Sequence, residues 1–591
     1  MTLRQATRSM RRKTALALCA ATLMLGANFG MQPISAHAAA EEDDIGLPNL
    51  SGRYLAAIVA NRAQDAERAS RYFRDVISLD PETPELTHSA FISLLTNGEI
   101  PDAAKLAKEL MKRENTGWFP RSTLGVVALR KRAYKQAQKY FSEGDQGDQV
   151  TRLVSGILNA WSLHGEKKTD LAIETLGQLE GPGWYDLFRS YHNALMLHHV
   201  GRNEEARKEM EKALEIDSRS VPMAATYARI LSRLGDDKAA LDHLRPLYRQ
   251  APGNRILGYL VGELEKGRSL KPTVSSAQSG AAEGLYGIGT LLAREGGAEA
   301  GSVMLRLALH LDEEHELAIM SMADQLEAVK QYDKANALYA QLDNESVLQP
   351  VSVIQTALNL ERLEKTDDAI GLLEELIKTE KSNLSAINTL GNLLRSKERY
   401  EDAALVYSKG ISTIPQLQPG HWSIYYTRGI AYERSKDWPK AEADFRKALD
   451  LSPDQPLVLN YLGYSWVDRG ENYDEALDMI KKAVEQRPQD GYIVDSLGWV
   501  YYKLERFEEA VPHMERAVAL KPADPIINDH LGDVYWKVGR KREAMFQWQH
   551  ARDLKPDEPE VLERVLKKIE HGLDKVELEE AKAGKDDTAS N

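Results

Sequence analysis

A period of 34 residues runs through the second half of this chain and constrains its fold more than any other feature. Gly532 and Ala544 stand 34 residues after Gly498 and Ala510. Three earlier copies carry the same pair of small residues at closely similar spacing: Gly463 and Ala476, Gly429 and Ala441, Gly391 and Ala403. Several copies in one register are the signature of a repeat array, in which each unit stacks on its neighbours.

The residues between these markers predict two helices in each unit. Apolar side chains recur at helical spacing on both sides of the small residues, and each helix therefore has one apolar stripe. Counted within each 34-residue unit, the glycine is at position 8 and the alanine at position 20. Both residues are small because the two helices would cross closely there. Pro522 and Pro556 end two of the second helices, since proline cannot continue a helix.

This pattern resembles the tetratricopeptide repeat (TPR), whose signature places Leu-Gly and an aromatic residue in helix A and Ala-x3-Phe-x2-Ala in helix B. Fainter copies continue upstream, for example at Ala369, Ala335 and Gly289. The resemblance implies an all-α fold, a right-handed superhelical solenoid of about fourteen helix pairs.

Composition shifts divide the chain into five predicted segments. A signal peptide is followed by a degenerate TPR solenoid, a Ser/Gly-rich linker, a second solenoid that ends in a closing helix capped by Gly572, and a polar, disordered tail. Their respective boundaries are 1–38, 39–266, 267–282, 283–572 and 573–591. The linker is predicted to separate two sub-solenoids.

The N-terminus is typical of a bacterial export signal. Five basic residues precede the apolar run 14–27, and small residues follow it, so cleavage is expected between Ala38 and Ala39. An uncleaved anchor is less favoured because the run is short of the ~20 residues that span a membrane. Lipidation of Cys19 is disfavoured by the bulky residue before it. The localisation predicted is the periplasm, with the extracellular medium second.

Charge and residue usage exclude several function classes. The 76 basic and 89 acidic residues give a formal charge of −13, and removal of the signal segment with its five basic residues lowers it to −18, which argues against nucleic-acid binding. The mature chain would contain no cysteine. No nucleotide-binding, nucleophile or zinc-protease motif occurs. The run His310–His315 is better explained as a junction between repeats than as a metal site. We therefore predict a protein that is not an enzyme, with no cofactor and no metal.

A closer resemblance lies in 460–470, 494–502 and 528–536, which are similar to the long periplasmic TPR proteins of alphaproteobacteria. It implies an interaction scaffold for cell-envelope or outer-membrane integrity, with envelope proteins or peptides as partners and no membrane-spanning segment in the mature chain. The alternatives are an assembly factor of a secretion or polysaccharide-export complex, a regulator of a peptidoglycan-remodelling enzyme, and a purely structural homo-oligomer.

The same resemblance implies a partner-binding groove on the concave wall, formed by helix A positions 2, 5, 9 and 12. Aromatic and acidic residues dominate these positions in the last units, which favours a basic or amide-rich partner segment. The candidate groove residues are Tyr426, Asn460, Tyr464, Tyr492, Asp495, Trp499, Tyr502, Asp529, Asp533 and Trp536. The alternative is that several of the aromatic residues pack between repeats.

Overall fold

A computed structural model describes residues 49–112, 117–142, 148–556 and 558–579. Within these ranges every regular element is helical: there are thirty α-helices up to residue 571, a further helical stretch at 573–579, one short 3-10 helix at Pro419–His421 and no strand. None of the helices so described is both long and apolar enough to cross a membrane. The predicted signal segment and its cleavage site at Ala38 and Ala39 lie outside the described residues.

The helices of the N-terminal half are numbered in chain order. They are α1 Leu50–Arg62, α2 Ala66–Leu79, α3 Pro84–Asn97, α4 Ile100–Leu110, α5 Trp118–Arg130, α6 Tyr134–Ser142, α7 Gln149–Gly165, α8 Thr169–Gly177, α9 Tyr185–His199, α10 Asn203–Ile216, α11 Val221–Arg233, α12 Asp237–Gln250, α13 Arg255–Glu265, α14 Ala277–Arg294 and α15 Ala298–Leu311.

The helices of the C-terminal half continue this numbering. They are α16 Glu316–Ala328, α17 Tyr332–Tyr339, α18 Gln349–Arg362, α19 Thr366–Thr379, α20 Leu384–Ser396, α21 Tyr400–Ser412, α22 Trp422–Arg434, α23 Trp438–Leu451, α24 Pro456–Asp468, α25 Tyr473–Gln486, α26 Gly491–Lys503, α27 Phe507–Leu520, α28 Pro525–Lys537, α29 Lys541–Asp553 and α30 Pro559–His571.

These helices form fourteen antiparallel pairs, and α13 and α30 are left single. The prediction of an all-α array of about fourteen pairs is confirmed. The first pair, α1 and α2, belongs to a compact unit that ends at Glu82, and the remaining pairs belong to a second unit that begins at Thr83.

The glycines of the repeat pattern lie where helix A and helix B of a unit cross. A Cβ atom at Gly429 would lie 2.6 Å from Cε1 of Phe445, and one at Gly498 would lie 2.8 Å from Cγ of Met514. Neither neighbour is exposed, because each fills the space between helix A and helix B of its own unit. Glycine at position 8 therefore lets the two helices of a unit cross at close range.

The helix pair α14 and α15 does not continue the stack in simple series. It returns along the chain and packs on the A helices of earlier units. The amide of Gln278 donates to the carbonyl of Leu129 at 3.0 Å, and Nε of Arg306 donates to the carbonyl of Thr96 at 3.3 Å. A Cβ atom at Gly280 would overlap the indole ring of Trp161. The A-helix side of α3, α5, α7 and α9 is therefore covered by the chain itself.

The predicted linker 267–282 differs from the structure in two respects. From Ala277 it is helix, and Leu270 and Val274 before it are buried rather than exposed. The large clusters of buried side chains instead run from Phe91 to Leu348 and from Ala357 to Leu573. The segment packs on α11: the backbone N–H of Leu270 donates to the Ser232 hydroxyl at 3.3 Å, and the hydroxyls of Thr273 and Thr226 lie 2.9 Å apart.

The closing helix α30 is present as predicted, and Gly572 caps it with a left-handed φ of 79°. The tail predicted from residue 573 differs in its first part. Residues 573–579 are helical, and Leu573 and Val576 are buried. The rest of the predicted tail lies outside the described residues.

Candidate functional site

Five successive A helices, α20, α22, α24, α26 and α28, carry the ten predicted groove residues or flank them. We call the surface that these helices share the groove, and residues 559–579 the closing segment. The structure divides the groove into a section covered by the closing segment and a section that is open.

The two aspartates of α28 do not face solvent. The Lys568 ammonium donates to Asp529 at 2.7 and 2.8 Å and to Asp533 at 2.8 Å, and the lysine has no exposed surface. Burial raises the pKa of Asp533 to about 6, and the charge of Lys568 opposes that shift. These two aspartates therefore bind the chain's own lysine, which the sequence spacing did not indicate.

Asp495 on α26 is paired within the groove as well. Its carboxylate accepts from Nδ1 of His530 at 3.1 Å, and both side chains are buried. Burial lowers the pKa of His530, but the neighbouring Asp495 charge and hydrogen bond outweigh it, and the net pKa lies above the ordinary histidine value. The neighbouring carboxylate thereby favours the charged form of the imidazole between the two repeats.

Trp499 and Tyr502 serve mainly as packing residues. The Trp499 ring stacks on His530 with 4.0 Å between centroids and on Tyr502 with 4.7 Å. Only 4% of Trp499 and 8% of Tyr502 is exposed. For these two residues the structure matches the alternative interpretation, packing between repeats.

The end of the closing segment covers Trp536 of α28 and the hydroxyl of Tyr502 of α26. Nε1 of Trp536 donates to Asp574 at 3.0 Å, and the Tyr502 hydroxyl donates to Glu577 at 2.9 Å. Tyr492, in contrast, is 54% exposed at the rim, where Lys521 lies 4.9 Å from its ring centroid. Of the groove residues on α26 and α28, Tyr492 is thus the most accessible.

The open section lies on α20, α22 and α24 and contains a cavity of about 880 Å³. This volume is within the range of pockets that hold peptide side chains or small ligands. The residues that line it are Arg395, Tyr426, Ile430, Glu433, Arg434, Lys436, Trp438, Tyr461, Tyr464, Ser465, Asp468 and Arg469.

Two of the predicted groove residues, Tyr426 and Tyr464, form the aromatic part of this cavity. The Tyr426 ring meets Tyr461 edge to face with 5.9 Å between centroids, and burial raises the pKa of all three tyrosine hydroxyls, so they remain neutral donors. Asn460 lies beside them on α24. Its buried Oδ1 accepts no hydrogen bond within the described part of the chain.

Among the described residues, no group of three or more His, Cys, Asp or Glu side chains is placed to hold a metal ion. His315, one of the weighed metal candidates, is paired through Nε2 with Glu283 at 2.9 Å. What the open section offers is apolar area, hydrogen-bond donors and charge.

Three segments of the chain match tetratricopeptide-repeat family profiles: residues 354–421, 422–455 and 496–559. A TPR repeat-containing protein of Pseudomonas aeruginosa, PA4667, is 29% identical over 179 residues, which is 30% of this chain and 30% of that protein. Human tetratricopeptide repeat protein 13 is 28% identical over 142 residues, 24% of this chain and 16% of the relative. The alignments thus span less than a third of either relative.

Solved structures of similar architecture include the APC/C hetero-tetramer Cut9-Hcn1, with a TM-score of 0.35, 14% identity and coverage of 88% of this chain and 97% of that chain. A tetratricopeptide repeat protein from Parabacteroides merdae has a TM-score of 0.33, 17% identity and coverage of 48% and 97%. Likenesses at this level carry no functional conclusion. The 34-residue units, the helix pairs with their small crossing residues and the matching profiles together identify residues 354–455 and 496–559 as tetratricopeptide repeats within an all-α solenoid.

Proposed function

We propose that this chain is a non-enzymatic scaffold of the bacterial periplasm that supports cell-envelope or outer-membrane integrity or assembly. It would bind a segment of an envelope protein in the open section of the groove. TPR units commonly present such a surface to protein partners. The export-type N-terminus and the resemblance of residues 460–470, 494–502 and 528–536 support the location.

The observation that carries this proposal is the contrast between the two parts of the groove. Lys568 and its neighbours already occupy the surface of α28, whereas none of the described residues fills the cavity beside Tyr426 and Tyr464. The A-helix side of the early units is covered by α14 and α15 in the same way. The open section is therefore where a partner segment would meet tyrosine rings without displacing part of the protein.

Site-specific photo-crosslinking tests this directly. A photoreactive phenylalanine analogue would replace Tyr464 in the full chain, expressed in its native host. The matched control would carry the analogue at Phe546, which is 64% exposed but lies on the B helix α29. We expect a discrete adduct from position 464 and none of the same mass from position 546.

The identity and location of the adduct decide between functions. An outer-membrane or peptidoglycan-associated partner supports the envelope role, whereas components of an export complex support an assembly factor. A mature N-terminus at Ala39 in the periplasmic fraction supports the location. The proposal fails if both positions give the same adducts, if position 464 gives none, or if the protein stays in the cytoplasm.

A further inference from the structure

The open section has a charge of the opposite sign to the chain as a whole. Its cavity is lined by four cationic side chains, those of Arg395, Arg434, Lys436 and Arg469, and by two carboxylates. The whole chain carries a formal charge of −13. A local excess of cations on an anionic protein indicates which partners this surface would attract.

Two of these cations are available for an external partner. Arg434 and Lys436 are exposed, and neither forms an ion pair with another residue in the described ranges. Of the carboxylates, Glu433 already accepts a hydrogen bond from the Tyr461 hydroxyl at 3.0 Å. Only Asp468 remains as an exposed anion in the cavity wall.

The other two cations are held in place by the protein. The Arg469 guanidinium lies 4.9 Å from the ring centroid of Trp438 and contacts Glu471 at 3.1 Å. Arg395 is half-buried, and its Nη1 donates to Oδ1 of Asn392 at 3.3 Å. A guanidinium held in this way is well suited to bind a carboxylate.

The acidic residues that suggested a basic partner are engaged elsewhere. Asp495 pairs with His530, and Asp529 and Asp533 share Lys568, so each of the three already has a partner within the chain. The sign of the exposed charge is therefore set by the cations around the cavity. The tyrosine rings next to them supply an apolar surface.

Resting on the proposed function, we infer that the open section selects an acidic, extended segment that carries one apolar or aromatic side chain. The carboxylates would lie against Arg395, Arg434 and Lys436, and the apolar side chain would enter between Tyr426 and Tyr464. Three A helices spaced about 8–10 Å apart present about 20 Å of surface, which corresponds to about six extended residues.

Immobilised peptides of matched design test the inference. Each has a central Phe, and the flanking residues are Asp and Glu, or Asn and Gln, or Lys and Arg. Binding of the full chain is measured at low and high salt. We expect the acidic set to bind at least about tenfold more tightly than the other two, with an affinity that falls as salt rises.

A charge-reversed variant and its control localise the effect. Arg434→Glu with Lys436→Glu should remove the acidic preference. Lys208→Glu with Lys238→Glu changes the net charge equally at exposed sites of α10 and α12 and should leave it intact. Equal or better binding of neutral or basic peptides, loss of the preference in the control, or no binding of any set overturns the inference. A specific adduct at position 464 in the crosslinking experiment would still uphold the proposed function.

Discussion

The contact between Lys568 and the two aspartates of α28 allows a quantitative test of how the closing segment is held. Lys568→Met keeps the length and apolar stem of the side chain but removes the charge. Two buried carboxylates would then lose their shared cation. Removing one partner of a buried ion pair costs about 3–5 kcal/mol, because the other is left buried and uncompensated.

The cost should depend on pH in a defined direction. Burial already raises the pKa of Asp533 to about 6, above its unfolded value, and loss of the lysine charge raises it further. A carboxyl whose folded pKa is raised destabilises the fold when ionised and recovers stability as it is protonated. The deficit of Lys568→Met should therefore be largest near pH 8 and shrink as pH falls through 6.

Equilibrium urea unfolding and hydrogen exchange would measure this. The control is Lys567→Met, because Lys567 is half-exposed and pairs with Glu563 at the surface at 2.8 Å. Surface pairs contribute about 0–1 kcal/mol, so the control should be nearly neutral. In Lys568→Met we expect faster exchange in residues 559–579 than elsewhere. The reasoning is refuted if both variants are equally stable, or if adding Asp529→Asn and Asp533→Asn to Lys568→Met restores nothing.

Three further results are expected from the packing and charges described above. Gly429→Ala should lower stability by about 1–3 kcal/mol in thermal unfolding because the new Cβ meets Phe445. The control Gly371→Ala, whose new Cβ has no atom within 4 Å, should be neutral or stabilising. Equal effects of the two substitutions would contradict the argument that Gly429 allows a close helix crossing. Burial lowers the pKa of His192 to about 4, so it is neutral in the fold and protonated in the unfolded chain below 6.5. Stability should thus fall between pH 6.5 and 4, and His192→Asn should flatten that dependence; an unchanged profile would exclude His192 as its source. Arg428→Met should lower the free energy of unfolding in urea by about 3–5 kcal/mol, because Arg428 donates to both oxygens of buried Asp444 at 2.6 and 2.7 Å. A loss below 1 kcal/mol would show that this pair does not stabilise the fold.

Much of the fold could be predicted because the local sequence specifies each helix pair. The glycine at position 8 and the alanine at position 20 report a close crossing inside one unit, and this crossing needs only residues about 12 positions apart. The same information does not tell where a finished pair will dock. Gly289 and Ala308 fit a repeat register, yet their pair packs back on α3 to α9, because a hairpin with two apolar faces can pack on either neighbour.

Repeat spacing likewise does not identify the partners of the charged residues at the candidate site. Positions 5 and 9 placed Asp529 and Asp533 on the groove, and the structure buries both against Lys568. Their partner, Lys568, comes from a helix with no repeat register, so spacing could not assign it. Tyr426 and Tyr464 line the cavity of the open section, whereas the cations beside them lie at or near the helix ends, outside the four positions considered.

The return of α14 and α15 onto the first units has a consequence for how the chain folds. In an ordinary solenoid each unit contacts only its neighbours and can form as soon as it is synthesised. Here Arg306 bonds to Thr96, 210 residues earlier. At about 5–20 residues per second, roughly 10–40 s of synthesis separate the two. During that interval the apolar side of α3 to α9 lacks the cover that α14 and α15 later supply, so the N-terminal third should be the slow-folding, aggregation-prone part of the protein.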